Sequence, residues 1–382
     1  MIIMSAKNEL KADCLQKISM RKMTIADGCV ILNKSYRTIE RYLSQYKKRG
    51  ISSVIHGNKG RIPSNKSPSE LKNRFLKIYK DQYFDFNLVH ALEKMKENEN
   101  LNIPYETARR WSKEGTFLLK INRRKNSKKR PRFYRQRTSQ RGILLQMDGS
   151  YHKWFGRIEY CLITVIDDAT SDIYFAGFFP SETTFNCMEA IKSVLQNYGV
   201  FSAIYVDRAG TYGGGKRQLF CQFKRALEEI GINVIFANSP QAKGRVERSY
   251  RTFQDRLVPE LRFKNIENVE DANNYLKDYF IPLVWRKRFC INPAIGSNGF
   301  KPLNPILDLK EIFCIKETRL IKNDHTFHYE SLTYEILNPG QFSLSGQELE
   351  IRSYPDGEKK FFFQEKGLII DEIKNGIIKI AA

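Results

Sequence analysis

The sequence lacks the patterns that would tie it to disulfides, to zinc or to a membrane. Its seven cysteines (Cys14, Cys29, Cys161, Cys187, Cys221, Cys290 and Cys314) are odd in number and scattered, with no Cys-x-x-Cys pair. That argues against a disulfide framework and against a cysteine-based zinc site, and suits buried free thiols in a reducing compartment. Histidine is scarce, at five residues, and no apolar run approaches the length of a membrane span. The first residues lack the sustained apolar core of a signal peptide, so the expectation is a soluble, cytoplasmic protein. Acidic charge is also in deficit: 64 Lys and Arg oppose 42 Asp and Glu, a net +22 over 382 residues. An excess that large, and clustered, points to a polyanionic partner, because each cation set on a phosphate releases condensed counterions. No membrane partner is expected, and association with the nucleoid is.

The positive charge is organised. Met23–Leu32 has helical apolar spacing, Asn33-Lys34 reads as a turn, and Ser35 is placed to cap a second helix, Tyr36–Leu43. This is a helix-turn-helix pattern that would turn Tyr36, Arg37, Glu40 and Arg41 to a major groove, although an ordinary αα-hairpin shares it. A Gly/Ser/Pro/Lys-rich stretch, residues 56–68, follows as a basic linker. A second helical unit contains Ile103–Trp111, which resembles another recognition helix with Tyr105, Arg109 and Arg110 available for DNA. Residues 121–141 hold ten Lys or Arg and no acid. Following two helical units of DNA-reading pattern, this run, with Arg130 and Arg132 inside it, is best read as a linker lying on phosphates.

From Gly142 the texture changes. Strands are expected at Ile143–Met147, Glu159–Asp167, Ile173–Phe179, Phe201–Val206 and Asn233–Ala237. Helices are expected at Thr183–Tyr198 (capped near Ser181), Phe220–Ile230 and Lys243–Leu261. The order βββαβαβα describes a mixed sheet flanked by helices. A further helix, Val269–Arg286, leads through a Pro/Gly/Asn-rich joint to six short strands from Thr318 to Ile373, the pattern of a small β-barrel. The expected division is therefore 1–60, a helix-turn-helix domain; 61–120, a second helical DNA-binding unit; 121–141, a basic linker; 142–290, a mixed-sheet catalytic core; and 291–382, the small β-barrel. The class is multidomain, α then α/β then β.

Asp148 and Asp207 each close a predicted strand, and Glu247 falls in the opening turns of a predicted helix. Asp207 and Glu247 have 39 residues between them, room for one helix and one strand. In-line attack on a phosphodiester is served by two divalent cations roughly 4 Å apart. Magnesium takes oxygen ligands and retains water, so a few carboxylates and the substrate phosphate complete each shell, and manganese can substitute. Asp148 would bridge both ions, with Asp207 and Glu247 each favouring one. A lone Asp at a strand end is more often a turn residue; the case rests on three in the right order. Lys243, Arg245 and Arg248 surround Glu247 at a helix start, where the macrodipole disfavours cations, which suggests an approaching DNA backbone. Asp167 and Asp168 read as hairpin-tip residues. His152 could touch substrate, and packing is the plainer role for it.

The blocks Met147-Asp148-Gly149-Ser150, Ile166-Asp167-Asp168-Ala169-Thr170, Pro180-Ser181-Glu182-Thr183-Thr184, Val206-Asp207-Arg208 and Asn238–Arg248 resemble the integrase-core transposases of bacterial insertion sequences. These are a branch of the DDE recombinases, and the ISNCY-type group is the closest in pattern. The likeness also takes in the helix-turn-helix start and His56–Arg61, and so runs over nearly the whole chain. It implies an RNase H-like core with Asp148, Asp207 and Glu247 as metal-binding triad, and helix-turn-helix recognition of terminal inverted repeats. It also implies multimeric assembly on paired ends of double-stranded DNA, and strand transfer to target DNA by the exposed 3′-hydroxyl. Two departures stand out. Ala209–Gly215 is a Gly-rich stretch where the family often has His and an apolar residue, which suggests a mobile active-site loop. The His/His/Cys/Cys zinc module of retroviral integrases is absent. Two other readings share this core: a transposase-derived DNA-binding regulator with an inactive centre, and a nuclease acting on RNA–DNA hybrids.

Overall fold

A tight approach of three helices forms the start of the chain. The computed structural model of the protein describes residues 6–55, 67–115, 136–206, 214–236, 244–337 and 343–372, and the chain divides into two compact units, Met1–Arg74 and Phe75–Ala382. In the first, α1 (Ala6–Ser19), α2 (Ile25–Leu32) and α3 (Tyr36–Arg49) bury Cys14, Leu15, Ile18 and Ile39 between them. Gly28 lets α2 sit close, since a Cβ there would stand 2.7 Å from Ile18 Cδ1. Thr24 and Asp27 form a reciprocal capping box at the start of α2. Asn33 turns the chain in the left-handed conformation, φ 46°. Ser35 does begin α3, but its hydroxyl meets that of Thr38 at 2.9 Å and makes no side-chain cap.

The boundary of the second unit falls within α4 (Ser69–Asp81), which precedes α5 (Leu88–Asn98) and α6 (Tyr105–Glu114). Then come β1 (Leu144–His152), β2 (Tyr160–Asp167), β3 (Ile173–Phe179), α7 (Thr184–Tyr198), β4 (Ala203–Val206), α8 (Gly214–Glu229), β5 (Asn233–Phe236) and α9 (Gly244–Phe263). This is the expected alternation. The strands form one mixed sheet in the order β3-β2-β1-β4-β5, with β1, β2 and β3 antiparallel and β4 and β5 parallel to β1. The sheet is buried on both faces. Leu145, Met147, Ile163 and Val165 meet α7 and α8 on one side, and Leu162, Ile166 and Phe178 meet α9 on the other, as the two-residue period requires.

Several boundaries differ from expectation. β1 continues past Asp148 to His152, because its pairing with β2 runs on to His152↔Tyr160 after β4 has separated at Gln146↔Tyr205. α8 begins at Gly214 rather than Phe220, and α7 is capped by Thr183, whose hydroxyl accepts from the Asn186 amide at 3.1 Å. The helix expected at Val269–Arg286 is α10 (Val269–Tyr275), a π-helix (Leu276–Trp285) and α11 (Arg286–Phe289). Pro282 lies in the π-helical part, where its missing amide suits the widened ladder.

After α12 (Leu309–Ile312) come β6 (Ile315–Leu320), β7 (Thr326–Tyr329), β8 (Leu332–Ile336), β9 (Glu348–Ser353), β10 (Lys359–Phe363), β11 (Lys366–Gly367) and β12 (Ile370–Glu372). Where the sequence pattern suggests a small barrel, the described residues form two antiparallel sheets, β11-β10-β9-β6 and β12-β8-β7, over one core of Phe327, Tyr329, Leu349, Ile351 and Phe361.

Candidate active site

Alternation along β1 sets Asp148 on the same face as Gln146, the face that α9 covers. The chain reaches α9 only after four more strands, yet the first turns of this helix are bonded directly to β1. The Val246 amide donates to Gln146 Oε1 at 3.4 Å, and the Tyr250 phenol donates to the main-chain carbonyl of Asp148. Thr164, opposite Asp148 on β2, donates its hydroxyl to the Tyr250 oxygen at 2.9 Å. Burial, followed by the Asp148 carboxylate, pushes the Tyr250 phenol well up, so it stays protonated and remains a donor. Glu247 lies one turn before Tyr250 and is exposed.

A second carboxylate stands next to β1. Glu182, in the loop after β3, donates its amide to the Tyr151 hydroxyl at 2.9 Å. A Cβ on Gly149 would sit 2.6 Å from Glu182 Oε2 and 2.8 Å from Cys161 Sγ, so any side chain there would displace one of these neighbours of Asp148. Cys161 is fully buried, and its thiol is pushed up to about 12, first by burial and then by Glu182, with Asp148 adding to it. It is therefore a neutral thiol, and the donors offered around Asp148 are oxygens. Such a set suits a hard divalent cation. Among the described residues no group of three His, Cys, Asp or Glu is arranged to hold a metal, and Asp207 lies outside those residues. The last described residue of β4, Val206, immediately precedes it.

The other candidate residues lie on separate elements. Tyr36, Arg37, Glu40 and Arg41 are exposed on α3, while Ile39 between them fills the core. Tyr105 and Arg110 are exposed on α6, where Arg109 is engaged with Glu106 at 2.8 Å. Arg248 is exposed. Arg245 points inward, its guanidinium 2.5 Å from buried Asp168. Arg130, Arg132 and Lys243 lie outside the described residues, as do residues 56–66 of the first linker and 209–213 of the Gly-rich stretch. His152 meets Trp154 edge-on at 5.2 Å. Gln146 and Tyr250 were not among the sequence candidates, and Glu182 stood only within a family-like block, with no role given to it. The one available signal was a Gln at an inward position of a buried strand.

No protein-family model matches the chain. It is 32% identical over 366 residues to transposase y4bF of Sinorhizobium fredii, covering 94% of this chain and 79% of that one. The chain belongs to the transposases. It is also 30% identical over 302 residues to the transposase for insertion sequence IS1202 of Streptococcus pneumoniae, covering 69% of this transposase and 65% of that one. Among solved structures, the magnesium-bound HTLV-2 integrase catalytic core is 18% identical with TM-score 0.28, covering 35% of the transposase and 83% of the core. A chain of the simian T-cell lymphotropic virus intasome complex is 14% identical with TM-score 0.36, covering 75% and 95%. No described helix of the transposase is long and apolar enough to cross a membrane.

Proposed function

We propose that this transposase binds the terminal inverted repeats of its own element, cuts the DNA at those ends and joins them to target DNA. The observation that carries this reading is the fastening of the first turns of α9, which hold Glu247, onto β1 at Asp148. Two acids far apart in sequence thereby come from adjoining elements. Asp207 is the proposed third member, following directly on β4, which runs beside β1 up to Gln146↔Tyr205. These three carboxylates would hold magnesium, or manganese in its place. The ion, when bound, supplies Lewis-acid stabilisation at the reacting phosphate. The protein's own part is to orient the acids through Tyr250, Thr164 and Gln146, and to keep Cys161 a neutral thiol. Arg248 faces the approaching DNA backbone. The α2-turn-α3 unit reads the element ends through Tyr36, Arg37 and Arg41, with Tyr105, Arg109 and Arg110 on α6 and the basic run at Arg130 and Arg132 adding phosphate contacts. The RNase H-like core at 142–290 and the terminal β module at 291–382 act within a homo-oligomer on paired ends, in the bacterial cytoplasm.

The test uses the full chain with duplexes carrying both ends of the element, in Mg²⁺ or Mn²⁺. Wild type nicks and joins them, while Asp148→Asn binds the ends and joins nothing. Joining by Asp148→Asn overturns the triad. Inactivity of wild type with both metals, alongside specific end binding, favours the regulator with an inactive centre.

A further inference from the structure

Asp168 has no exposed surface, although it sits in the turn after β2. Its Oδ1 accepts from Gln146 Nε2 at 2.7 Å and from Arg245 Nη1 at 2.5 Å, and its Oδ2 accepts from the Thr138 amide at 2.8 Å. Its own amide donates to the Leu144 carbonyl at 2.9 Å. Gln146, also wholly buried, turns its other end to the Val246 amide. Gln146 lies two residues before Asp148, and Arg245 two residues before Glu247. One carboxylate thus grips both arms of the proposed metal site just upstream of each acid. Burying a charge and a primary amide is costly, and for the fold alone a well-packed apolar set is often as good or better. Here the guanidinium and the amide donors offset that cost, and the arrangement spans two elements rather than closing one turn. Arg137 reinforces it by donating to the carbonyls of Asp168 and Ala169 and to Ser171 Oγ, at 3.1, 3.2 and 2.8 Å.

We infer that Asp168 is a positioning residue that sets the separation of Asp148 and Glu247 through Gln146 and Arg245. It holds the two ligand-bearing elements and takes no place in the cation's shell. The inference rests on the reading of Asp148 and Glu247 as cation ligands.

The experiment titrates Mn²⁺ into the full-length protein without DNA and follows free Mn²⁺ by electron paramagnetic resonance, with thermal melts alongside. Asp148→Asn serves as the control that loses binding. Asp168→Asn and Arg245→Gln each raise the half-saturating Mn²⁺ about tenfold, as loss of an outer partner of a metal ligand does. The double variant also loses about tenfold rather than a hundredfold, since the two act as one link. Arg245→Lys restores most of the affinity. If Asp168→Asn does not fold, Arg245→Gln and Arg245→Lys read the same link from its other end. Wild-type Mn²⁺ affinity in folded Asp168→Asn or Arg245→Gln, with binding lost in Asp148→Asn, overturns the positioning role alone. So do multiplicative losses in the double variant. Undiminished binding by Asp148→Asn overturns the cation reading, and the positioning role with it.

Discussion

The phenol of Tyr250 donates to the main-chain carbonyl of Asp148, tying the helix that carries Glu247 to the strand residue that carries the other acid. The same oxygen accepts from Thr164, so three elements meet at one buried hydroxyl. Tyr250→Phe keeps the ring and deletes the donor, leaving polar groups of Asp148 and Thr164 to find new partners. We expect a loss of about 1–3 kcal/mol of stability. Strand-transfer activity should fall further than the stability change explains, because α9 can then drift relative to β1. Melting curves and a strand-transfer assay on the same preparation check this. Wild-type rates in a destabilised Tyr250→Phe would show that the bond serves the fold alone.

Gly149→Ala tests the crowding next to Asp148. The added methyl would fall 2.6 Å from Glu182 Oε2 and 2.8 Å from Cys161 Sγ. Glu182 is exposed and can swing aside, whereas Cys161 is buried within β2, so the contact with its sulfur is the costly one. Overpacking of this kind typically costs about 1–3 kcal/mol. The expected outcome is a lowered melting temperature and a weakened Mn²⁺ titration. A second variant, Gly149→Ala with Cys161→Ala, should recover part of the stability, and failure to recover any would place the strain elsewhere.

The order of elements around the sheet was legible because strands and helices differ in apolar period, as Ile163 and Val165 show by facing one layer while Leu162 and Ile166 face the other. Glu247 could be placed in the opening turns of a helix because an amphipathic pattern begins there, whereas Asp148 ends the apolar run but not the strand, whose pairing with β2 runs on to His152. Asp168 could not be read correctly in that way. Its neighbours Asp167, Thr170, Ser171 and Asp172 are turn residues, and the sequence describes the turn truly. That the turn is buried follows from Arg137, Gln146 and Arg245 converging on it, and no local pattern encodes that convergence. Arg245 shows the same limit: a cation at a helix start suggests DNA, but its partner lies 77 residues away inside the protein. The C-terminal strands were found for their alternation, whereas their division into two sheets depends on which edges pair.

Arg41 offers a test confined to the first unit. It is exposed on α3, next to Tyr42, whose ring lies 5.8 Å from the guanidinium. No core contact is lost on truncation, so Arg41→Ala should melt like wild type. If the side chain reads a base edge, end binding weakens by about 1–3 kcal/mol and preference for the end sequence relaxes at one position. If it meets only phosphate, binding weakens on all sequences alike and the salt slope falls by about one. An unchanged footprint with an unchanged salt slope would remove Arg41 from the DNA surface.

The buried pair of His90 and Glu260 makes stability depend on pH with a definite sign. His90 Nε2 lies 2.7 Å from Glu260 Oε1, and His90 Nδ1 is buried with no hydrogen-bond partner among the described residues. That places the proton of a neutral imidazole on Nε2, donating to the carboxylate. Burial lowers the His90 pKa, outweighing the pull of Glu260 in the other direction. Burial works to raise Glu260, but the bonds and charges from His90, Lys94 and Tyr275 prevail and lower it. Arg256 and Lys94 also face the pair, while Lys94, itself raised, stays charged. Both lowered groups bind fewer protons folded than unfolded, so their stabilisation is complete above the unfolded values and declines as pH falls. The decline from His90 begins below about 6.5 and that from Glu260 below about 4.3. Melting temperature should therefore drop between pH 7 and pH 5 in wild type, and drop less in His90→Gln, whose amide can still donate to Glu260 without titrating. Parallel curves for the two proteins would assign the acid sensitivity to other groups.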